Sequence, residues 1–418
     1  MSDLHRFRNN AKAIGMGNPV WDEALHHGLI DLQVSVDGQD RVRGADGHRF
    51  VNLCSCSYLG LHNHPAILEG AIEMVRREGV IDLPIARVRI RLRVLDELES
   101  ALSDLYGTRT LSALSASAAT SSLLPLLASG HLCDDGEPRV LVFDKLCHFS
   151  MNLVKPICAD ESPVLTCRHN DLDFIEDACK KHGRVAYIAE GVYSMGGYAP
   201  VRELLELQDR YGLFLYFDDS HSLSVVGESG EGYVKSCIPG ELNPLTVIVA
   251  SCGKGFGGSG GVVMLGPKNQ EPLIHRFGGP MAWSQGLNIP SIGVNLAAIQ
   301  IHRSPELGER QRRLQENLAL FDSRIDTEER GNGFPVKIVR VGGTNDADRA
   351  VEVSKELFRR GFYSSAVFFP IVEKGKAGLR VMVRADNRPE DLTEFCDLVE
   401  DVIAEITEIA AGAEKVNV

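Results

Sequence analysis

Leu245-Thr-Val-Ile-Val-Ala-Ser251-Cys-Gly-Lys254-Gly-Phe-Gly-Gly-Ser-Gly-Gly261-Val-Val-Met-Leu265 decides the fold. A short apolar run rich in β-branched residues ends on Ser251. A lysine set among glycines follows, and then a second apolar run. Two familiar patterns match the middle. Gly255, Gly257 and Gly260 fit G-x-G-x-x-G, and Gly257-Gly-Ser259-Gly-Gly261 fits G-x-S-x-G. Both need a helix directly after the turn. Val262-Val-Met-Leu265 reads as a strand instead, so both patterns fail on context. What remains is a lysine held between two strands.

Upstream, the same kind of run recurs at Val140–Phe143, Val185–Ala189 and Leu213–Phe217. Continuous apolar runs of this length read as strands covered on both faces, as in a parallel sheet. Amphipathic helices such as Val201–Tyr211 lie between them, so the chain alternates strand and helix. Further on, the texture becomes more charged. It predicts a helix over Pro305–Ile325, a strand at Val336–Val341, a helix over Asp346–Arg360, a strand at Gly378–Val383 and a last helix from Pro389. The expected division is an N-terminal segment 1–50, a large α/β domain 51–295 and a smaller C-terminal α/β domain 296–418.

The net charge of −13 excludes a nucleic-acid surface, which needs basic residues. The longest uncharged stretch, Leu111–Cys133, is broken by Ser, Thr and Pro125 and is too polar to span a membrane. No signal-like apolar run opens the chain. The ten cysteines form no disulfide framework, and Cys54-x-Cys56 has no C-x-x-C companion, so no metal site is expected. The expected setting is a reducing cytoplasm.

In open α/β sheets, ligands bind at the carboxyl ends of the strands. Those ends carry Asp144-Lys-Leu-Cys-His148, Glu190-Gly-Val-Tyr-Ser194, Asp218-Asp-Ser-His221 and Ser251-Cys-Gly-Lys254. A lysine here suits a Schiff base. The aldehyde cofactor that lysines carry is pyridoxal 5'-phosphate (PLP), whose pyridinium nitrogen wants a carboxylate such as Asp218. Its phosphate wants backbone N–H groups at a helix start, which Ser115-Ala116-Ser117 can supply. Taken singly, His148 is as compatible with a core histidine, Glu190 with a helix cap, and Arg380 with a surface ion pair.

Together these residues, with Leu53-Cys-Ser-Cys56-Ser-Tyr58-Leu-Gly60-Leu, resemble the α-oxoamine synthases. The similarity is collinear from about residue 45 to 405. It implies a fold-type I PLP-dependent transferase, with a mainly parallel seven-stranded sheet in the large domain. It further implies an active site at a homodimer interface. In that resemblance, Lys254 carries PLP, Asp218 meets the ring nitrogen and His148 stacks on the ring. His221 and Ser194 face the ring hydroxyl, and His221 assists the acyl step. Ala116, Ser117 and Ser251 sit at the phosphate, and Ser284 and Gln285 reach the partner's phosphate. Arg380 holds the substrate carboxylate, and Cys56 stands where the family has an asparagine. The reaction implied is condensation of an amino acid with an acyl thioester through a quinonoid. Among members, the α-amino-ketone autoinducer synthases look nearest. They imply a rival: β,γ-elimination or annulation on S-adenosylmethionine. An aminotransferase and a silent partner subunit complete the alternatives, although a silent subunit usually lacks the lysine.

The substrate side departs from the family. Ile81-Asp-Leu-Pro-Ile-Ala86 replaces a glycine-rich segment. Arg87-Val-Arg89-Ile-Arg91-Leu-Arg93 follows directly. Read as a strand, it places its arginines on one face. That stripe is either a solvated face with ion pairs or a site for an anionic cosubstrate such as CoA phosphates, a carrier phosphopantetheine or a nucleotide.

Overall fold

The computed structural model describes residues 9–38, 40–133, 135–267, 269–343, 346–369 and 371–416. Contacts divide the chain into two units. One holds Leu61–Ser194 and Tyr198–Gln311. The other joins the described parts of residues 8–60 and 312–418 with Met195–Gly197.

The first unit is built on a seven-stranded sheet. Its strands are β1 (Arg109–Ala113), β2 (Val140–Asp144), β3 (Val164–Cys167), β4 (Val185–Glu190), β5 (Phe214–Asp218), β6 (Thr246–Ser251) and β7 (Gly261–Leu265). Their order is β1-β7-β6-β5-β4-β2-β3. β7 runs antiparallel to both β1 and β6, while the other neighbours pair in parallel. The strands read from apolar runs are all present, with ends displaced by no more than one residue. The two that the runs did not reveal, β1 and β3, are the edges of the sheet. An edge strand is not forced to be apolar throughout, so Arg109-Thr-Leu-Ser-Ala113 carries no continuous run.

Strand parity decides what faces the helix Ala116–Ala128. Side chains alternate faces along a strand. Ile188, Tyr216 and Val249 pack in one buried cluster with Leu123, Leu124 and Leu127 of that helix. Two residues on, Glu190, Asp218 and Ser251 share that parity, so three strand ends point to the face where the helix begins. Helix Val201–Tyr211 forms where expected, buries Val201, Leu204 and Leu207 on one stripe, and ends on Gly212 at φ 67°.

In the second unit, a four-stranded sheet orders Val34–Val36, Arg41–Gly44, Arg49–Asn52 and Phe362–Tyr363. A three-stranded antiparallel sheet orders Val336–Arg340, Gly378–Met382 and Ser365–Val367. Helices Asp346–Arg359 and Pro389–Val416 belong to the same unit. The division therefore differs from the expected one. Arg41 of the N-terminal segment pairs with Asp391 at 2.8 Å, and Val51 pairs in parallel with Phe362, so residues on both sides of position 50 meet C-terminal residues. Residues 296–311 stay with the first unit: His302 Nε2 lies 2.8 Å from Ser224 Oγ, and Gln311 Nε2 donates to the Ser224 carbonyl at 3.0 Å. Pairing across some 310 residues leaves no trace in a local hydrophobic period, which explains the difference.

Among the described residues, no helix is long and apolar enough to cross a membrane.

Candidate active site

The glycine-rich turn between β6 and β7 closes on itself. Cys252 N–H donates to the Gly260 carbonyl at 3.0 Å, and Gly258 N–H donates to the Cys252 carbonyl at 2.8 Å. Gly257 sits at φ 73°, and a Cβ there would lie 2.3 Å from Leu61 Cβ. A Cβ on Gly261 would lie 2.6 Å from the Ala116 nitrogen. The glycines thus let the turn pass beneath the start of helix Ala116–Ala128. Ser115 caps that helix by accepting from Ala118 N–H at 3.0 Å. The N–H groups of Ala116 and Ser117 remain at the positive end of the helix.

These elements enclose a cleft of about 170 Å³, the size that accepts one aromatic ring. Ala116, Ser117, His148, Asp218, His221, Ser251 and Lys254 all line it, together with Ser115, Glu190 and Ser220. Lys254 Nζ lies 2.8 Å from His221 Nε2. Asp218 is buried, and its Oδ1 accepts from Ser220 N–H at 3.0 Å. Ser220 Oγ in turn accepts from Ser251 N–H at 2.8 Å, tying the end of β5 to the end of β6. His148 caps the helix Phe149–Leu153, and its Nδ1 lies 2.9 Å from Ser150 Oγ.

Asp219, one residue past Asp218, has the opposite parity. It accepts from Val234 N–H at 2.9 Å, and burial pushes its acid up to about 6. The paired aspartates therefore serve two faces, one the cleft and one a loop.

Glu190 is the feature that the sequence left least defined. It lies beside Asp218 in the parallel register of β4 and β5. Its Oε2 accepts from Ser194 N–H at 2.9 Å, and its Oε1 is buried with no hydrogen-bond partner. Burial, and then the charge of Asp218, push its acid up to about 8, against the pull of Ser194 N–H and Lys254. So Glu190 is neither a surface cap nor an arginine partner. It is a neutral acid at the cleft wall at pH 7. The linkage has a definite sign. The folded protein holds this proton more tightly than the unfolded chain does. Stability is therefore full below about pH 4.5 and falls as pH rises toward 8. In cofactor-free protein, Glu190→Gln should remove this fall, on the order of a few kcal/mol between pH 5 and 9. Thermal melts across that range, with wild type and variant in parallel, check it. Equal slopes would mean that Glu190 is ionised in the fold.

The other expected residues lie elsewhere. Ser194 does not line the cleft; its N–H donates to Glu190 Oε2, which does. Ser284 and Gln285 follow the short helix Pro280–Trp283 and do not line the cleft; the Ser284 carbonyl accepts from Arg87 N–H at 2.9 Å. Cys56 and Arg380 belong to the second unit. There Arg380 pairs across to Ile338 and Ser365. Burial pushes the nearby Cys54 thiol up to about 12, while the charge of Arg380 opposes the rise.

The arginine stripe is corrected. Residues 87–89 form a turn, not a strand, and Arg93 opens the helix Arg93–Tyr106. Arg87 is buried: it donates to Glu99 at 2.6 Å and to the Ser112 carbonyl at 2.9 Å. Arg91 pairs with Asp96 at 2.8 Å, while Arg89 and Arg93 are exposed. The alternation failed as a strand signal because the buried Arg87–Glu99 pair, rather than a pleat, organises the segment. No shared anion site survives on Arg87, Arg89, Arg91 and Arg93.

The donor set fits PLP. A lysine amine, a buried carboxylate and a helix start with a Cβ-free floor meet in one ring-sized cleft, as an aldehyde, a pyridinium and a phosphate require. Among the described residues, no cluster of His, Cys, Asp and Glu could hold a metal ion.

Comparison with known proteins agrees with this geometry. The chain is 28% identical over 369 residues to 8-amino-7-oxononanoate synthase of Fervidobacterium nodosum, covering 85% of this chain and 89% of that protein. The fold matches serine palmitoyltransferase from S. paucimobilis, solved with a bound PLP–myriocin aldimine. That TM-score is 0.81 at 18% identity, covering 96% of this chain and 99% of the other. It also matches 8-amino-7-oxononanoate synthase from Francisella tularensis, with a TM-score of 0.68 at 18% identity, covering 87% and 99%. All three are 8-amino-7-oxononanoate synthases or serine palmitoyltransferase, members of the α-oxoamine synthase type that the sequence resembles. The family model for class I and II aminotransferases matches residues 48–399, and the chain belongs to that family.

Proposed function

We propose that this protein is a PLP-dependent enzyme of the α-oxoamine synthase type. It condenses an amino acid with an acyl thioester, joining the amino acid's Cα to the acyl carbon and releasing the thiol and CO₂. The observation that carries this reading is the meeting of Lys254, Asp218 and His221 with the start of helix Ala116–Ala128 in one cleft. Bound PLP supplies the electron sink for the charge left at the substrate Cα.

The chain's own residues do the rest. Lys254 carries the cofactor and takes the α-proton at Nζ, work that a positioned lysine amine can do. His221 Nε2, 2.8 Å away, holds that amine in place. Asp218 presents its carboxylate to the ring nitrogen. Ala116, Ser117 and Ser251 hold the phosphate, and His148 covers the ring. The resemblance assigns the substrate carboxylate to Arg380, a role that the bidentate fork of a guanidinium suits. Trp283 is 60% exposed, directly before Ser284 and Gln285. This favours a homodimer in which that segment reaches the partner's phosphate. The absence of disulfides among the ten cysteines accords with a cytoplasmic setting.

Ile81–Ala86 favours a substrate pair other than glycine or alanine with a simple acyl-CoA, because bulk replaces glycine there. Within the type, the D-D-S-H-S pattern from Asp218 and the C-terminal segment look most like the autoinducer synthases. One experiment sorts these readings. The PLP-loaded protein is titrated with amino acids and then acyl-CoA, following the visible spectrum and free CoA thiol. Amino-acid-dependent thiol release is the expected result. A spectral response to S-adenosylmethionine alone, with methylthioadenosine released, would overturn the condensation.

A further inference from the structure

Asp144 ends β2, and its side chain does not belong to the cleft. Leu141 and Phe143 pack in the cluster with helix Ala116–Ala128, so Asp144 has the opposite parity and faces away from it. It is fully buried. Its carboxylate collects donors from separate segments. Oδ1 accepts from Leu146 N–H at 2.8 Å, and Oδ2 accepts from Asn170 N–H and from the Tyr187 hydroxyl, each at 2.8 Å. His169 Nδ1 lies 3.2 Å from both oxygens. Burial alone would raise this acid, but the His169 and backbone donors hold it below the usual carboxylate range.

His169 is fixed on its other side too. Its Nε2 lies 3.2 Å from Asn170 Nδ2, which also donates to the Tyr198 carbonyl at 3.1 Å. With Nε2 accepting, Nδ1 carries the hydrogen toward Asp144. The ring meets Tyr193 edge-on, with centroids 4.5 Å apart at 90°. Tyr193 is buried and directly precedes Ser194, whose N–H goes to Glu190. Asp144 also braces the turn that leads to His148 through Leu146 N–H, and Cys147 Sγ donates to the Ile188 carbonyl at 3.1 Å. One packed chain of contacts thus links the loop of His148 to the loop of Ser194 from behind the sheet.

We propose that Asp144, His169 and Tyr193 form a positioning relay that sets His148 and Ser194 relative to one another across the cleft. None of the three touches the reacting atoms; each acts through a residue that lines the cleft or supports it. The proposal rests on the PLP reading above, since His148 lines the cofactor cleft and Ser194 supports Glu190 at its wall.

The test uses full-length protein loaded with PLP. Asp144→Asn, His169→Ala, His169→Asn and a core control, Ile188→Val, are compared by induced circular dichroism of the cofactor band, PLP dissociation constant, kcat and KM. Asp144→Asn and His169→Ala should each lower the induced signal by about half or more. They should cost roughly 10–100-fold in kcat with amino-acid KM nearly unchanged, as misplacement of order 1 Å does. His169→Asn can still donate to Asp144 and should recover most of the signal. If both disruptive variants only melt earlier, as Ile188→Val does, and keep wild-type dichroism and PLP affinity, the relay is refuted. Should Asp144→Asn not fold, the His169 pair decides by itself. Wild type that takes up no PLP would overturn the cofactor reading and the relay with it. Normal PLP uptake with unaffected variants would overturn the relay alone.

Discussion

Lys254→Ala will abolish turnover while leaving the protein folded. On the proposed roles, one side chain both carries the cofactor and moves the α-proton. Acid–base work by a positioned group is worth up to about 10⁴-fold, and loss of covalent attachment adds to it. We therefore expect kcat to fall by about 10⁴-fold or more. Stability should change by less than about 1 kcal/mol, because Lys254 stands on a half-buried turn and its substitution opens no core cavity. The visible band of the lysine-bound cofactor should disappear, even if PLP still enters the cleft. A variant that keeps the wild-type band, or turns over at a tenth of the wild-type rate, would remove Lys254 from the reaction. His221→Asn leaves the lysine in place and takes away its partner at 2.8 Å, so the cofactor band should remain while kcat falls.

Asp218→Asn should be nearly as damaging, for an electrostatic reason. The amide can still accept from Ser220 N–H, so the bridge from β5 to β6 through Ser220 survives. Only the charge is lost. A preorganised charge or donor aimed at the reacting system is worth about 3–4 kcal/mol, which is 10²–10³-fold in kcat. The same change should be visible at Glu190. With Asp218 uncharged, one of the two causes that raise the Glu190 acid is gone, so its titration should move down toward the carboxylate range. The pH dependence of apo-protein stability should shift to lower pH accordingly. Near-wild-type kcat in Asp218→Asn would deny that its charge serves the ring nitrogen. An unmoved pH profile would deny the coupling of the two carboxylates.

The coupling originates in the sheet. Adjacent parallel strands in register put Glu190 and Asp218 side by side at one sheet edge. Two buried carboxylates side by side cannot both hold a charge cheaply, and burial together with the Asp218 charge favours the proton on Glu190. Glu190 has Ser194 N–H on one oxygen and nothing on the other.

Much of this protein follows from its sequence alone. The buried strands declare themselves because a strand covered on both faces must be apolar at every position, as Phe214-Leu-Tyr-Phe217 is. The residues just past such strands are the ones a ligand can reach, so His148, Asp218, His221, Ser251 and Lys254 were legible as a group. The failure of both glycine motifs was legible too, since Val262–Leu265 is β7 rather than a helix. Tertiary structure decided the remainder. The edge strands β1 and β3 carry no full apolar run, and the parallel pairing of Val51 with Phe362 is a long-range choice. The alternating arginines became a turn because Arg87 is drawn inward to Glu99 and the Ser112 carbonyl. The neutral state of Glu190 depends on burial and on a neighbour 28 residues away in sequence, and the Asp144–His169–Tyr193 contacts join three loops. Periodicity reports which side of an element is dry. Only packing brings distant charges together and sets how strongly each one feels the next.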